Sequence, residues 1–390
     1  VYKRQAGMSF RYNWILITNL NRIPWVYAES GAQRMAGMLG LAKSYLDQSI
    51  RRAREGGLPV WRQLGEMLVL ELFYSVGPGF YHKAKFWCRD TPFREKTRYR
   101  VGRRYIKSVA KINNHNYYKL SQHKLSEKAL LTLFKIPTAE FLGYLHPASG
   151  QSRDGSPLTN GNELAGLMQR LYPSSAAIKM PEGSCGVGFD IIDLDAGEHK
   201  QIYSRALKRT LPVDEYVHIK TAEFRGQGIL VETAIVQHTL MSRLNATSVN
   251  TLRLWVRRTT QGNVVKSGLL KIGDSGKLTD YTATGGLVVP LDIRTGVLGK
   301  PAFRPPAAIA SAVDYFDSDK LEGFEIPFWN DVLSLASQCL NVFPEHNFAG
   351  MDIAITEGGP LVVEINVIPD PGHAARVGIP TMDLLSGETG

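Results

Sequence analysis

The sequence predicts an α+β protein in which a mainly helical region precedes the sheets. Three observations carry this reading. The first hundred or so residues place apolar side chains at helical spacing. From about Asn113 short apolar strands alternate with helices, and Gly350 to Asn366 is written as a β-hairpin. At 390 residues, 44% apolar and 21% charged, the chain can build two or three domains with substantial cores. The expected division is a basic helical region over 1–112, a first α+β part over 113–240 and a second over 241–390.

Ala32 to Glu55 reads as a helix stopped by Gly56-Gly57, and Pro59 suits the first position of a helix running to Val76, where Gly77-Pro78-Gly79 ends it. A third helix is expected from about Arg98 to Ile112. Val101, Tyr105, Val109 and Ile112 form its apolar stripe, and Arg100, Arg104, Lys107 and Lys111 a basic one. Further helices are expected near Ser126–Phe134, Asn162–Leu171 and Phe328–Asn341. Strands are expected at Ala139–Tyr144, Ala176–Met180, Gly228–Glu232, Thr251–Arg257, Val264–Ile272, Met351–Thr356 and Leu361–Val367.

Composition excludes several classes. Cys88, Cys185 and Cys339 are widely spaced with no CxxC, which argues against a disulfide framework or a zinc site and points to a reducing, cytoplasmic compartment. The longest apolar stretch, Met67 to Val76, is too short to span a bilayer, and no signal peptide is expected. Charge is uneven: residues 1–130 hold 24 Lys+Arg against 8 Asp+Glu, within a chain of net charge +10. Such a basic region is a solvated surface or faces something anionic, such as an anionic glycan precursor or a membrane surface contacted peripherally. No zinc-finger, KH or RRM signature supports a nucleic-acid partner.

The hairpin carries the first chemistry. If Glu357-Gly358-Gly359 is a three-residue loop, Ile355 faces Leu361, Ile353 faces Val363 and Met351 faces Ile365, giving one apolar face. The other face then sets Asp352 opposite Glu364, with Asn366 two residues along. Two carboxylates and an amide suit magnesium, which takes a few protein oxygens and completes its shell with water and phosphate. A solvated polar edge is the alternative. A phosphate partner is available in Ala176 to Gly188: an apolar strand delivers Lys179, and Gly183, Gly186 and Gly188 let backbone N–H groups approach a polyphosphate. This is neither a Walker A loop nor a dinucleotide GxGxxG.

With these residues the chain resembles the ATP-grasp superfamily, most closely its sugar-transfer associated branch, from about Asn113 to Pro371. The matching segments are Lys179 with the Gly183–Gly188 loop, Leu230-Val-Glu232, Ser248-Val-Asn-Thr-Leu-Arg253, Gly285-Gly286, Gly350-Met-Asp352 and Glu364-Ile-Asn366. The resemblance implies an ATP-grasp fold, two α+β lobes holding ATP, with the phosphates clamped by lysines and two magnesium ions, manganese being an alternative. It implies that Lys179 contacts the α- and β-phosphates, that Gly183, Ser184, Gly186 and Gly188 close over the phosphates, and that Lys124 is an earlier phosphate-binding cation. Glu232, Ile235 and Val236 would begin the adenine hinge. His238 lies in Gln237-His238-Thr239, where the superfamily often carries an acidic ribose ligand, so this contact departs from the pattern. Arg253 would reach the γ-phosphate and, with Lys179, act in catalysis. Asp352, Glu364 and Asn366 would hold magnesium, Glu364 bridging. His373 and Arg376 follow closely enough to be substrate contacts.

The implied activity is carboxylate–amine ligation. A carboxylate is a poor electrophile, and phosphorylation by ATP converts it into an acyl phosphate that an amine can attack. Positioning and charge neutralisation suffice, with no catalytic serine, and exclusion of water protects the intermediate. The branch adds an association with cell-envelope or capsular polysaccharide. Two other readings stay open: a small-molecule kinase built on the same clamp, and a non-catalytic basic peripheral protein.

Overall fold

The computed structural model describes residues 31–171, 175–183, 185–194, 201–281, 286–301 and 321–387, with side chains from 39 onward except at 171. Contacts divide the chain into two compact units, Val1–Leu64 and Gly65–Gly390. In the first unit the helix Gly31–Arg54 ends at Gly56, whose φ of +88° only glycine adopts readily. Gly57 N–H then bonds back to Arg52 C=O at 2.9 Å, and the buried Gln63 donates to the carbonyls of Ser49 and Leu58 at 3.1 and 2.6 Å.

The second unit holds two antiparallel sheets. Strands β1 (Phe141–Leu145), β2 (Gln151–Ser152), β3 (Ala176–Lys179), β4 (Asp190–Leu194), β5 (Gln201–Ser204), β6 (Arg209–Pro212) and β7 (Ile229–Thr233) form the first, in the order β2-β1-β7-β3-β4-β5-β6. The helices Gly161–Leu171 and Val213–Glu223 cover one face, packing Leu164, Leu167, Met168, Val213 and Tyr216 against Ile178, Ile192 and Val231. Strands β8 (Thr251–Thr259), β9 (Gly262–Ile272), β10 (Leu287–Leu291), β11 (Phe348–Thr356) and β12 (Gly359–Asn366) form the second, in the order β10-β9-β8-β11-β12. The helix Trp329–Cys339 seals one face of it over Leu252, Leu254, Leu270, Met351 and Ile353. On the opposite face Trp255, Leu269 and Phe348 meet Tyr105 and Val109 of the helix Gly102–Ala110 and Ala374 of the helix Pro371–Arg376. The helical residues from 65 to 110 therefore belong to the same unit as the sheets.

Every expected strand and helix from Asn113 on is present among the described residues within a few positions. The short strands β4, β5, β6 and β10 and the helix Val213–Glu223 are additions, and the expected helix to Val76 turns into one π-turn over Leu70–Tyr74.

The hairpin register corrects the sequence reading. Its turn is Glu357-Gly358 alone: Thr356 pairs with Gly359, Ile355 with Pro360 and Ile353 with Val362, so Val362 rather than Val363 enters the core. A β-bulge between Asp352 and Ile353 absorbs the extra residue and restores the expected pairs Asp352–Glu364 and Met351–Ile365. The bulge is held from outside: Val362 N–H donates to Pro137 C=O at 2.8 Å, and Thr138 Oγ1 donates to Val362 C=O at 2.9 Å.

Candidate functional site

Alternation along β8, β9, β11 and β12 brings one polar row out of the apolar sheet. Arg253 is the register partner of Asp352, which in turn pairs with Glu364, so three charged residues stand in line across three strands. Arg253 grips Asp352 with its fork, Nε to Oδ1 at 2.5 Å and an Nη to Oδ2 at 2.8 Å. Lys271, opposite Thr251 on β9, reaches Asp352 at 3.2 Å and Asp280 at 3.3 Å, and Thr251 donates to Asp280. Asn366 approaches Asp352 at 3.5 Å. Burial opposes the charge on Asp352, but Arg253 and Lys271 hold its carboxyl below the usual carboxylate range. Burial likewise opposes the guanidinium charge, and Asp352 overrides it so that the pKa of Arg253 rises.

A second charged group faces this row from the first sheet and the helix Lys124–Leu133. The Glu232 carboxylate on β7 is buried and receives Lys179 of β3 at 2.6 Å and Lys128 at 2.9 Å. Burial works to raise the pKa of Glu232, and the two ammonium groups lower it below its ordinary value. Burial works against charge on Lys179, yet Glu232 raises its pKa. Lys124, Glu127 and Lys128 recur at i, i+3 and i+4, which puts them on one helix face. Lys124 donates to Gly183 C=O and lies 3.5 Å from Glu364. The buried Glu127 accepts the Ile365 N–H at 2.7 Å, and burial, reinforced by Glu364, pushes its pKa well up. Glu364 of the hairpin and Glu127 of the helix both act electrostatically on Lys179, which places them near it.

The glycine loop borders that site, since Lys124 donates to Gly183 C=O. Gly186 and Gly188 have φ of +69° and +71°, values that favour glycine. A Cβ on Gly186 would meet Thr279 Cγ2 at 2.7 Å and one on Gly188 would meet Phe224 at 2.3 Å, so the loop is packed between the segment after β9 and the helix Val213–Glu223. Gly183 lies outside the left-handed region, and Ser184 lies outside the described residues.

The remaining expected site residues are dispersed in role. Ile235 is half-buried and Val236 is 79% exposed, both on the extended segment after β7. His238 caps the short helix Thr239–Ser242 by accepting Leu240 N–H at 3.1 Å, and its other ring nitrogen lies 3.3 Å from Glu357. Glu232 turns inward to the two lysines. His373 is half-buried, with a pKa pushed down to about 3 first by desolvation, and the electrostatic partners acting on it are Asp370, Arg253, Lys271 and Arg376. It therefore lies beside the polar row, with Arg376 next to it. Sequence reasoning missed Glu127, Lys128, Lys271 and Asp280. The helical spacing of the first two with Lys124, and a lysine inside the apolar run Leu269-Leu270-Lys271-Ile272, were the available signals.

Asp352, Glu364 and Asn366 fit magnesium by donor type. Asp352 is committed to Arg253 and Lys271, whereas the Glu364 side chain is 33% exposed and has oxygen to spare. Among the described residues no three His, Cys, Asp or Glu side chains enclose a metal position. A metal there would need phosphate oxygens and water to complete its shell. An open groove between the helix Lys124–Leu133 and strands β1–β2, lined by Lys135, Phe141, Tyr144 and Arg153, is a separate feature.

No curated protein matches this chain. Among solved structures it is similar to a carboxyaminoimidazole ribonucleotide synthase from Aspergillus clavatus complexed with ATP, at 14% identity over 67% of this chain and 50% of that one, TM-score 0.37. A biotin carboxylase–β-γ-ATP complex from Campylobacter jejuni gives 10%, 68%, 45% and 0.40 in the same order. A D-alanine–D-alanine ligase from Bacillus anthracis complexed with ATP gives 14%, 68%, 64% and 0.35. The chain spans about half the length of the first of these, and the superpositions are loose. The sequence profile of the sugar-transfer associated ATP-grasp family matches residues 103–374, the span that contains both sheets, the Lys179–Glu232 pair, the glycine loop and the Arg253–Asp352–Glu364 row. The match covers more than half of the chain, and the protein belongs to the sugar-transfer associated ATP-grasp family.

Proposed function

We propose that this chain binds ATP with magnesium and uses it to convert a carboxylate into an acyl phosphate, which an amine or similar nucleophile then attacks. The observation that carries this reading is the proximity of Lys179, Lys124 and Arg253 to Asp352, Glu364 and Asn366, beside a glycine loop that Lys124 contacts at Gly183. In it, Lys179, Lys124 and Arg253 neutralise polyphosphate, Asp352, Glu364 and Asn366 hold the metal, and the metal neutralises charge on the transferring group. Arg253 is already charged and rigidly aimed by Asp352, so little reorganisation is needed when a phosphoryl group is transferred. The substrates are proposed from the sugar-transfer association of the family to be cell-envelope or capsular glycan units bearing a carboxylate.

The test is ADP release from Mg-ATP by the purified protein, with panels of amino acids and uronic-acid sugar nucleotides, followed by the mass of any adduct. A condensed product that requires both a carboxylate and a nucleophile is expected. A stable phosphate ester formed on a hydroxyl would instead establish phosphoryl transfer as the reaction. ADP release that no carboxylate stimulates would sink the ligase reading.

A further inference from the structure

The segment Ser248-Val-Asn-Thr-Leu-Arg253 contributes more than its arginine. Ser248 and Asn250 belong to a buried knot of amides that begins in the extended segment after β7. Gln237 turns inward there. Its Nε2 donates to the carbonyls of Asn245 and Ser248 at 2.6 and 2.9 Å, and its Oε1 accepts the N–H and the Nδ2 of Asn250, both at 3.0 Å. Asn250 Nδ2 also donates to Met241 C=O at 2.8 Å, which fixes the knot at the entry to β8. Gln237, Asn245, Ser248 and Asn250 are each at most 9% exposed, and buried amides that use one another as partners hold a single arrangement.

Two arms leave the knot for the segment after β9. Asn245 Nδ2 donates to Gly273 C=O at 2.9 Å. The exposed Thr247 donates through Oγ1 to Asn245 Oδ1 at 2.8 Å and accepts Gly276 N–H at 3.1 Å. A Cβ on Gly273 would meet Ser248 Oγ and, at 2.8 Å, the Thr279 carbonyl oxygen, so the segment 273–280 lies directly on the knot and folds back on itself. Its far end meets the candidate site twice. Thr279 abuts Gly186 of the glycine loop, and Asp280 accepts the Thr251 hydroxyl and pairs with Lys271 at 3.3 Å.

Glycine backbone is conformationally free, and a loop held in place before its ligand arrives loses less entropy on binding. Resting on the nucleotide reading, we infer that Asn245 and Thr247 are positioning residues for the nucleotide: they pin the segment 273–280, whose Thr279 holds Gly186 where its loop receives polyphosphate. Neither residue touches the nucleotide in this assignment. Thr247 is the informative member, because it is exposed and its hydroxyl makes both bonds, so its loss loosens the segment without opening a cavity in the core.

Thr247→Val removes that hydroxyl at nearly constant shape, and Thr247→Ser restores it. Two measurements on the full chain separate positioning from bulk stability: the Kd for Mg-ADP by titration calorimetry, and hydrogen exchange of the peptides containing Gly276 and Gly186. Urea unfolding is the control. Thr247→Val is expected to weaken Mg-ADP binding about 3- to 10-fold, the range spanned by one net hydrogen bond. Exchange should speed several-fold in both peptides, the unfolding midpoint should hold, and Thr247→Ser should behave as wild type. Wild-type Mg-ADP affinity in Thr247→Val overturns the assignment, as does weakening that Thr247→Ser fails to restore. Exchange that speeds at Gly276 and not at Gly186 overturns it as well, since the segment would then not be what holds the loop. Absence of Mg-ADP binding by the wild-type protein removes the nucleotide reading and this role with it, whereas binding that is indifferent to Thr247 removes this role alone.

Discussion

Asp352 and Glu364 face each other across β11 and β12 because a bulge opposite Asp352 compensates for a turn one residue shorter than the glycine pattern implies. Without the bulge, the two-residue turn would set Val363 opposite Asp352, and Glu364 would fall out of line with Arg253. The pairing is therefore maintained by the segment that grips the bulge, Pro137 and Thr138, together with Glu127 at Ile365.

Glu364→Gln should retain the fold and lose carboxylate-dependent ADP release, on the order of 100-fold, because it removes one anionic oxygen from the proposed metal site. Glu364 is part-exposed and its contact with Lys124 is long, so its loss should shift unfolding little. Steady-state ADP release, with thermal unfolding as the control, checks both halves. Full activity in this variant would exclude the proposed metal role.

Glu232→Gln should destabilise the protein by about 3–5 kcal/mol, since it strands Lys128 and Lys179 in a buried site without their counter-charge. Adding Lys179→Met should recover part of that loss, as one of the two stranded charges is removed. Urea unfolding of the single and double variants measures the coupling.

Gly186→Ala should strain the loop by about 1–2 kcal/mol through the left-handed backbone alone. It also drives a methyl group into Thr279, at 2.7 Å. The Michaelis constant for ATP should rise. Gly183→Ala, whose φ lies outside that region and whose nearest contact is the Met180 side chain at 3.0 Å, should have a much smaller effect.

His373 should make stability pH-dependent. Its folded pKa of about 3 lies below the ordinary histidine value, so between those limits only the unfolded chain binds the proton. Stability from this group is complete above about pH 6.5 and falls as pH drops toward 3, by at most about 1.4 kcal/mol per pH unit. Asp352 and Glu232, with folded pKa values held low, act in the same sense: their contributions are present above the unfolded carboxylate pKa and are lost as pH falls through the folded values. His373→Gln should flatten the upper part of the acid limb, measured by urea unfolding from pH 7 to pH 4. An unchanged slope would contradict the neutral imidazole.

Much of this fold was legible before any coordinates. Met351, Ile353, Ile355 and Ile365 alternate as one buried face, and period-two alternation then forces Asp352 to the other side, which is why the Asp352–Glu364 pair could be read from spacing. Lys179 ends an apolar strand and precedes the glycines for equally local reasons. The Val362 and Val363 assignment failed because two turn lengths fit the same three residues, and the contact that decides between them, Val362 with Pro137, spans more than two hundred positions.

Local pattern thus determined which residues could bear charge on an apolar scaffold: strand alternation and helix periodicity act over two to four residues and leave Lys179, Arg253, Asp352, Glu364 and Asn366 pointing away from their cores. Only tertiary structure decided their partners. That Glu232 neutralises Lys128 and Lys179 and that Arg253 locks Asp352 are long-range electrostatic matches. Burying a charge is too unfavourable without a counter-ion, so the packed sheets admit these groups only where the fold brings opposite charges together.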